Sequence, residues 1–222
     1  MLLGAAPRVA AAPAWAGTDL DLYGGAAERP GTQGMRDFSA ALPAASGQRV
    51  VLSFSSPWSV SRSQGLGRVS LFESRSDIRK SGASAFVQTV PGAPQAGARV
   101  GAQQVLDAVL QEGGQFGEQG RPEGVRLLTS KTVKRAGGVP YRLVTALFTV
   151  MSPNAVPVDT HVVVSAVEAA GDLFLFVGSC REALWPRFAK RLVPMAESFR
   201  VRPQAGADRA VVPMGDREAS RE

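Results

Sequence analysis

Cysteine and histidine are almost absent from this chain, which has one of each, Cys180 and His161. A single cysteine excludes an intrachain disulfide, so disulfide bonding says nothing about the compartment of the protein. Any cysteine–histidine nucleophile would have to combine His161 with Cys180, yet no Gly-rich turn precedes Cys180 in a strand-to-helix elbow. The sequence also lacks a P-loop, a Gly-x-Gly-x-x-Gly motif after a strand and a paired-cysteine metal motif. We therefore predict that the protein is not an enzyme.

A membrane-spanning segment is also missing. The apolar N-terminal stretch Met1–Ala16 is too short to span a bilayer as a helix, and two prolines and an arginine interrupt it. It has no acidic residue and ends in Ala14-Trp15-Ala16, a small-x-small pattern typical of signal-peptidase sites, but no basic region precedes its apolar part. Two interpretations stay open: a residual targeting segment, and a disordered leader without a sorting role or a gene model begun at an internal Met.

Positive charge is in excess, with a formal net charge of +6 and a pI near 10.2. This charge suits an acidic partner. The basic residues are not interleaved with aromatic residues, so we predict no binding of nucleic acid. The densest basic groups are either a partner-binding surface or simply solvated faces. They are Lys131, Lys134, Arg135, Arg187, Lys190 and Arg191.

One globular domain with two attachments is predicted from the composition, in which 45% of the residues are hydrophobic and 20% are charged. Residues 17–47 are rich in Gly, Ala, Ser and Pro and are predicted to be a flexible arm or linker. The domain is predicted to span residues 48–202, and residues 203–222 are predicted to be a disordered tail. The first predicted elements are strands at residues 49–55, 59–61, 69–73 and 84–90, a helix at 101–112, and a strand at 125–135.

Three further strands are predicted at 141–150, 159–168 and 173–180. Each is apolar on both faces, which is typical of strands covered on both sides of a sheet. The connection Ala169–Asp172 contains Gly171, and it predicts an antiparallel hairpin. A helix is predicted from Arg181 to Phe199, with Pro194 expected to kink or shorten it. This order predicts an α+β fold, an antiparallel sheet with helices on both faces, or α-β-α sandwich.

The register of the predicted hairpin assembles one set of possible metal ligands. If Glu168 pairs with Leu173, His161 stands opposite Cys180 and Asp159 opposite Glu182, and opposed residues project to the same face. Calcium would prefer the carboxylates, manganese could add the imidazole, and zinc could add the thiolate. The alternative is a surface histidine, a small buried cysteine and an acidic residue stabilised at a helix N-terminus without any metal.

The order of several short motifs resembles the PsbP family of photosynthetic lumen proteins. Between the first two strands of the domain lies Pro57-Trp58, and Gly138 precedes an aromatic-rich strand beginning at Tyr141. An acidic residue and a Trp, Glu182 and Trp185, open the last helix, which ends in Ser198-Phe199. The similarity covers approximately residues 48–201.

This resemblance implies a PsbP-like fold in a protein of the chloroplast thylakoid lumen, peripherally associated with a photosystem or another thylakoid complex. We also predict that the protein is monomeric in solution. PsbP binds the lumenal face of photosystem II and helps to retain calcium and chloride, whereas its relatives include accessory and assembly factors. The docking segment of PsbP is not recognisable in residues 17–47, so the resemblance favours a PsbP-domain relative. It also implies a calcium or manganese site at His161 and Glu182, to which the hairpin register adds Asp159. The alternative is a small-molecule carrier or an enzyme with a pocket between sheet and helices.

Overall fold

The computed structural model describes residues 29–30, 34–61, 69–72, 82–92, 100–111, 115–117, 120–135, 138–152 and 154–204. Two helices, α1 (Ala102–Val109) and α2 (Trp185–Ser198), and a 3-10 turn at Glu182–Leu184 lie among them. The strands are β1 (Arg29–Pro30), β2 (Arg36–Pro43), β3 (Arg49–Ser56), β4 (Ser59–Ser61), β5 (Val69–Phe72), β6 (Ala83–Val90), β7 (Glu123–Lys134), β8 (Pro140–Met151), β9 (Pro157–Ala169), β10 (Asp172–Arg181) and β11 (Arg200–Pro203). The predicted targeting segment 1–16 and nearly all of the predicted tail lie outside the described residues.

The strands pair antiparallel in two sheets. A seven-stranded sheet has the order β4-β5-β6-β10-β9-β8-β7, and a four-stranded sheet has the order β1-β2-β3-β11. The turn at Ser56–Trp58 carries the chain from the small sheet to the large one, and the backbone N–H of Trp58 donates to Oγ of Ser56 at 2.9 Å. The predicted antiparallel character of the fold is confirmed.

Strands β8, β9 and β10 occupy the inside of the large sheet, where both faces are covered. On one face, Val105, Leu106 and Val109 of α1 belong to a buried cluster with Val144 and Val162. On the other face, α2 and the small sheet share a second cluster. Its members include Phe54, Val163, Phe176, Phe188, Leu192 and Phe199. The apolar residues on both faces of these strands are explained by this cover.

The α-β-α sandwich is incomplete as a description of this cover. The small sheet shares one face of the large sheet with α2, and the sequence did not predict a second sheet. The predicted boundary at Gln48 is also corrected, because β2 lies inside the segment assigned to a linker. Phe38, Ala40 and Leu42 of β2 are buried, and β2 pairs along its length with β3.

Helix α2 begins at Trp185 rather than Arg181, because β10 continues to Arg181 and the 3-10 turn follows it. Pro186 lies in its first turn as predicted. Pro194 was expected to kink or shorten the helix, but the helix continues through it to Ser198. Proline has no backbone N–H, so Pro194 cannot donate to the carbonyl of Lys190. Both residues are exposed, so this carbonyl lies on the solvent side of the helix, where water can donate to it instead. No helix among the described residues is long and apolar enough to cross a membrane.

Candidate functional site

The hairpin of β9 and β10 has the register predicted from the sequence. Glu168 pairs with Leu173 and His161 pairs with Cys180. The ladder ends at the pair of Thr160 and Arg181, so Glu182 leaves the sheet at the point where it would have faced Asp159. The hairpin therefore brings His161 next to Cys180, and the 3-10 turn decides where Glu182 goes.

His161 is enclosed by the start of the last helix. Its Nδ1 lies 2.6 Å from Oε2 of Glu182, and because a carboxylate only accepts, Nδ1 is the donor. The imidazole stacks on the indole of Trp185, with 3.6 Å between ring centroids and 4° between ring planes. His161 is 4% exposed, and its buried Nε2 has no hydrogen-bond partner.

The 3-10 turn explains why Glu182 and Trp185 meet the same ring. Residues three apart in a 3-10 turn lie on the same side of it, so Glu182 and Trp185 both face the sheet. The sequence drew attention to Glu182 and Trp185 as markers of the helix start but missed the stack on His161. Two features could have predicted this stack: the spacing of three residues between Glu182 and Trp185, and the hairpin register that places His161 at the same end of the sheet.

The other two candidate ligands, Asp159 and Cys180, do not take part in these contacts with His161. Asp159 is exposed and accepts a hydrogen bond from Oγ1 of Thr149 at 2.7 Å. Cys180 is 3% exposed, and burial, with a smaller effect of the Glu182 charge, raises the pKa of its thiol to about 12. Burial and the raised pKa both disfavour the thiolate form that zinc binds.

In this arrangement, the four side chains do not converge on a common point as metal ligands would. His161 and Glu182 bind each other, and Nε2 of His161 is shielded from solvent. Across the described part of the chain, no group of three or more His, Cys, Asp or Glu side chains is arranged to hold a metal ion. The arrangement instead joins the end of the hairpin to α2.

The two predicted basic groups are placed differently. Lys131 and Lys134 are exposed on β7, and Lys131 lies 3.5 Å from the carboxylate of Glu197. Arg187, Lys190 and Arg191 are exposed on α2. These five residues remain accessible to a partner.

Arg135 is not part of an exposed basic surface. Its guanidinium is buried at the C-terminal end of α2, where it donates to the backbone carbonyls of Glu197, Phe199 and Ala196 and to Oγ of Ser165. It also lies over the Tyr141 ring, 4.6 Å from the centroid. Burial and the nearby Arg200 lower its pKa to about 10. The sequence could not distinguish this buried cation from its exposed neighbours.

A groove opens at the tip of the β8–β9 hairpin. Its lining includes Asn154, Val156 and Asp159 together with Arg181 and Glu182. It is not the pocket between sheet and helix that a carrier or enzyme was predicted to have. There, a Cβ on Gly178 of β10 would lie 2.9 Å from Cδ2 of Leu192, so strand and helix are already in contact.

The arrangement of the sheets is similar to that of a solved protein. No family model matches the sequence, and no curated protein matches it. The solution structure of cyanobacterial PsbP (CyanoP) from Synechocystis sp. PCC 6803 matches 80% of this chain and 98% of its own length, with a TM-score of 0.52 and 18% sequence identity. The chain has a PsbP-like fold.

The PsbP-like fold confirms the resemblance that the short motifs indicated. Those motifs occupy its turns and helix ends: Pro57-Trp58 lies between the two sheets, and Trp185 begins α2. At 18% identity, the similarity to CyanoP is one of fold.

Proposed function

We propose that this chain is a non-enzymatic accessory or assembly protein of photosynthetic complexes in the thylakoid lumen. It associates peripherally with photosystem II on its oxygen-evolving side or with a related thylakoid complex. The observation that carries the proposal is the PsbP-like fold, which spans nearly the whole of CyanoP. The motif order from Pro57 to Phe199 supports the same assignment.

The charge of the chain supports peripheral docking. The net charge is +6, and exposed basic residues are present on both β7 and α2. Such a surface attracts an acidic protein face, and exposed charge pairs weaken as salt screens them. Docking is therefore expected to be reversible by salt.

The test is affinity isolation of the tagged full chain from solubilised thylakoids, with identification of its partners. We expect photosystem or related thylakoid subunits to be recovered, and we expect a salt wash of intact membranes to release the chain. An integral photosystem subunit is the control that stays in the membrane. Recovery of the chain outside the plastid would contradict the proposal, as would retention of thylakoid complexes at a level no higher than that of a tag alone.

Binding of calcium or manganese by His161, Glu182 and Asp159 stays a prediction. An ion there would have to displace the hydrogen bond between His161 and Glu182. Thermal unfolding of the purified chain with each ion tests it, because a ligand that binds only the folded state raises the melting temperature. Glu182→Gln is the matched variant that should abolish any rise. An absence of any rise with either ion would contradict the prediction.

A further inference from the structure

Strand β7 forms one edge of the seven-stranded sheet. It has 12 residues and, among the described strands, pairs only with β8. Every residue in it is exposed except Val133, which is half-buried. The outward backbone N–H and C=O groups of an edge strand are a template for another strand.

The exposed side chains of β7 include large apolar residues. Val125, Leu127 and Leu128 are 42%, 48% and 46% exposed. They account for three of the six large hydrophobic side chains recorded as exposed in the described residues, and they lie within four consecutive positions. A cluster of this kind next to an open strand edge is typical of a site that binds another polypeptide.

Two irregularities confine where another strand could pair. Leu127 pairs with Ala146 and Thr129 with Thr145, which leaves Leu128 as an extra residue, and a second shift lies between Glu123 and Arg126. From Thr129 to Lys134, each residue has one partner on β8. This regular stretch provides the edge for a short ladder, with Leu127 and Leu128 as apolar contacts at its end.

The charge of β7 selects the partner. The strand contains three basic residues, Arg126, Lys131 and Lys134, and one acidic residue, Glu123. A second copy of β7 carries the same excess of basic residues, so pairing of two copies would place two strands of net positive charge side by side. Like charges directly opposed across strands are destabilising, whereas opposite charges stabilise. The basic residues thus act against self-association and favour an acidic strand.

We infer that β7 binds an extended, acidic segment of a partner protein as an additional antiparallel or parallel β-strand. Backbone hydrogen bonds along Thr129–Lys134 supply the ladder, the basic side chains pair with carboxylates, and Leu127 and Leu128 contact apolar residues of the incoming strand. This inference goes beyond the proposed function, because it assigns the recognition chemistry of one surface and does not depend on where the partner resides.

The test uses the full chain and a fluorescent peptide of about ten residues with alternating Glu and Val, the pattern of a short acidic strand. We expect the peptide to bind, as measured by fluorescence anisotropy, and to shift the backbone amide NMR signals of β7. A peptide of the same sequence with N-methylated alternate amides cannot form the ladder and should not bind. A peptide with Lys in place of Glu should not bind either.

Two charge-reversal variants locate the binding. Arg126→Glu with Lys134→Glu should weaken binding of the acidic peptide by at least about tenfold, since two favourable charge pairs become repulsive. Arg187→Glu with Lys190→Glu makes the same charge change on α2 and should leave the affinity unchanged. Leu127→Thr with Leu128→Thr keeps strand-forming residues and should weaken binding without unfolding the chain.

Several results would overturn the inference. They are no binding of the acidic peptide, equal binding of the N-methylated peptide, loss of binding only in the α2 variant, and self-association of the chain that the β7 charge reversal alters. None of them bears on recovery of the chain with thylakoid complexes, so the inference and the proposed function fail independently.

Discussion

The imidazole of His161 lies parallel to the indole of Trp185, with ring centroids 3.6 Å apart. His161 belongs to β9 and Trp185 begins α2, so the stack joins the large sheet to the helix that covers it. The carboxylate of Glu182 holds the same imidazole through Nδ1. The one histidine of the chain is thus a packing residue with a single polar contact.

Replacing His161 should show that stacking contributes more than the hydrogen bond. His161→Ala removes a buried ring, and we expect the free energy of unfolding to fall by about 3 kcal/mol. His161→Phe keeps a ring beside Trp185 but loses the bond to Glu182, and we expect a loss of about 1 kcal/mol. Urea denaturation measures both. Equal losses in the two variants would contradict the role of the stack.

Removal of the Arg135 side chain should destabilise α2 at its C-terminal end. Arg135→Ala leaves the carbonyl of Ala196 without its donor and removes one of two donors from the carbonyl of Phe199, so we expect a loss of about 2 to 4 kcal/mol in the free energy of unfolding. Lys134→Ala is the matched control, because Lys134 is the exposed neighbour, and its change should stay within about 0.5 kcal/mol. Similar losses in both variants, measured by denaturation, would show that Arg135 does not cap the helix.

Cys180 should make the protein less stable at alkaline pH. The pKa of its thiol is raised from 9.0 to about 12 in the folded protein. As the pH rises through this window, the thiol loses its proton in the unfolded chain but keeps it in the folded chain. Deprotonation therefore stabilises the unfolded state, and the free energy of unfolding falls. In Cys180→Ala, the decline over the same window should be smaller by that contribution. Identical pH dependence in the two proteins would refute the assignment.

The thiol should also resist modification near neutral pH. Because Cys180 is buried and its pKa is raised, iodoacetamide should label it slowly in the folded chain and readily in denaturant. The labelling is measured by intact mass. Rapid labelling without denaturant would contradict the burial of Cys180.

Gly82 should not tolerate alanine. It has a φ of +67°, and an added Cβ would lie 2.6 Å from Cδ1 of Leu184. We expect Gly82→Ala to lower the free energy of unfolding by about 2 to 4 kcal/mol, from backbone strain and overpacking together. Gly138 also has a positive φ but nothing within 4 Å of its added Cβ, so Gly138→Ala should cost about 1 to 2 kcal/mol. Thermal unfolding compares them, and equal costs would contradict a contribution from overpacking against Leu184.

Local alternation and turn residues predicted the hairpin of β9 and β10 down to the pairing of His161 with Cys180. Its two strands are adjacent in the sequence, and the turn at Ala170-Gly171 has positive φ at both residues, as a tight hairpin requires. Strand β2 was missed, although Phe38, Ala40 and Leu42 alternate, because the surrounding Gly, Ala, Ser and Pro residues are typical of a linker. Pairing with β3 and packing in the cluster shared with α2 and the large sheet bury these three side chains, and the composition of the segment does not indicate either contact.

The sequence by itself determined the strands and helices from β3 to α2, the antiparallel hairpin and the need for cover on both faces of the central strands. These features follow from periods of two and 3.6 residues and from local turn chemistry. Only the tertiary structure decided that a second sheet supplies part of the cover, that Glu182 and Trp185 enclose His161, and that Arg135 caps α2. Arg135 and Phe199 are 64 positions apart. Such contacts depend on how distant segments pack together, and no local pattern specifies them.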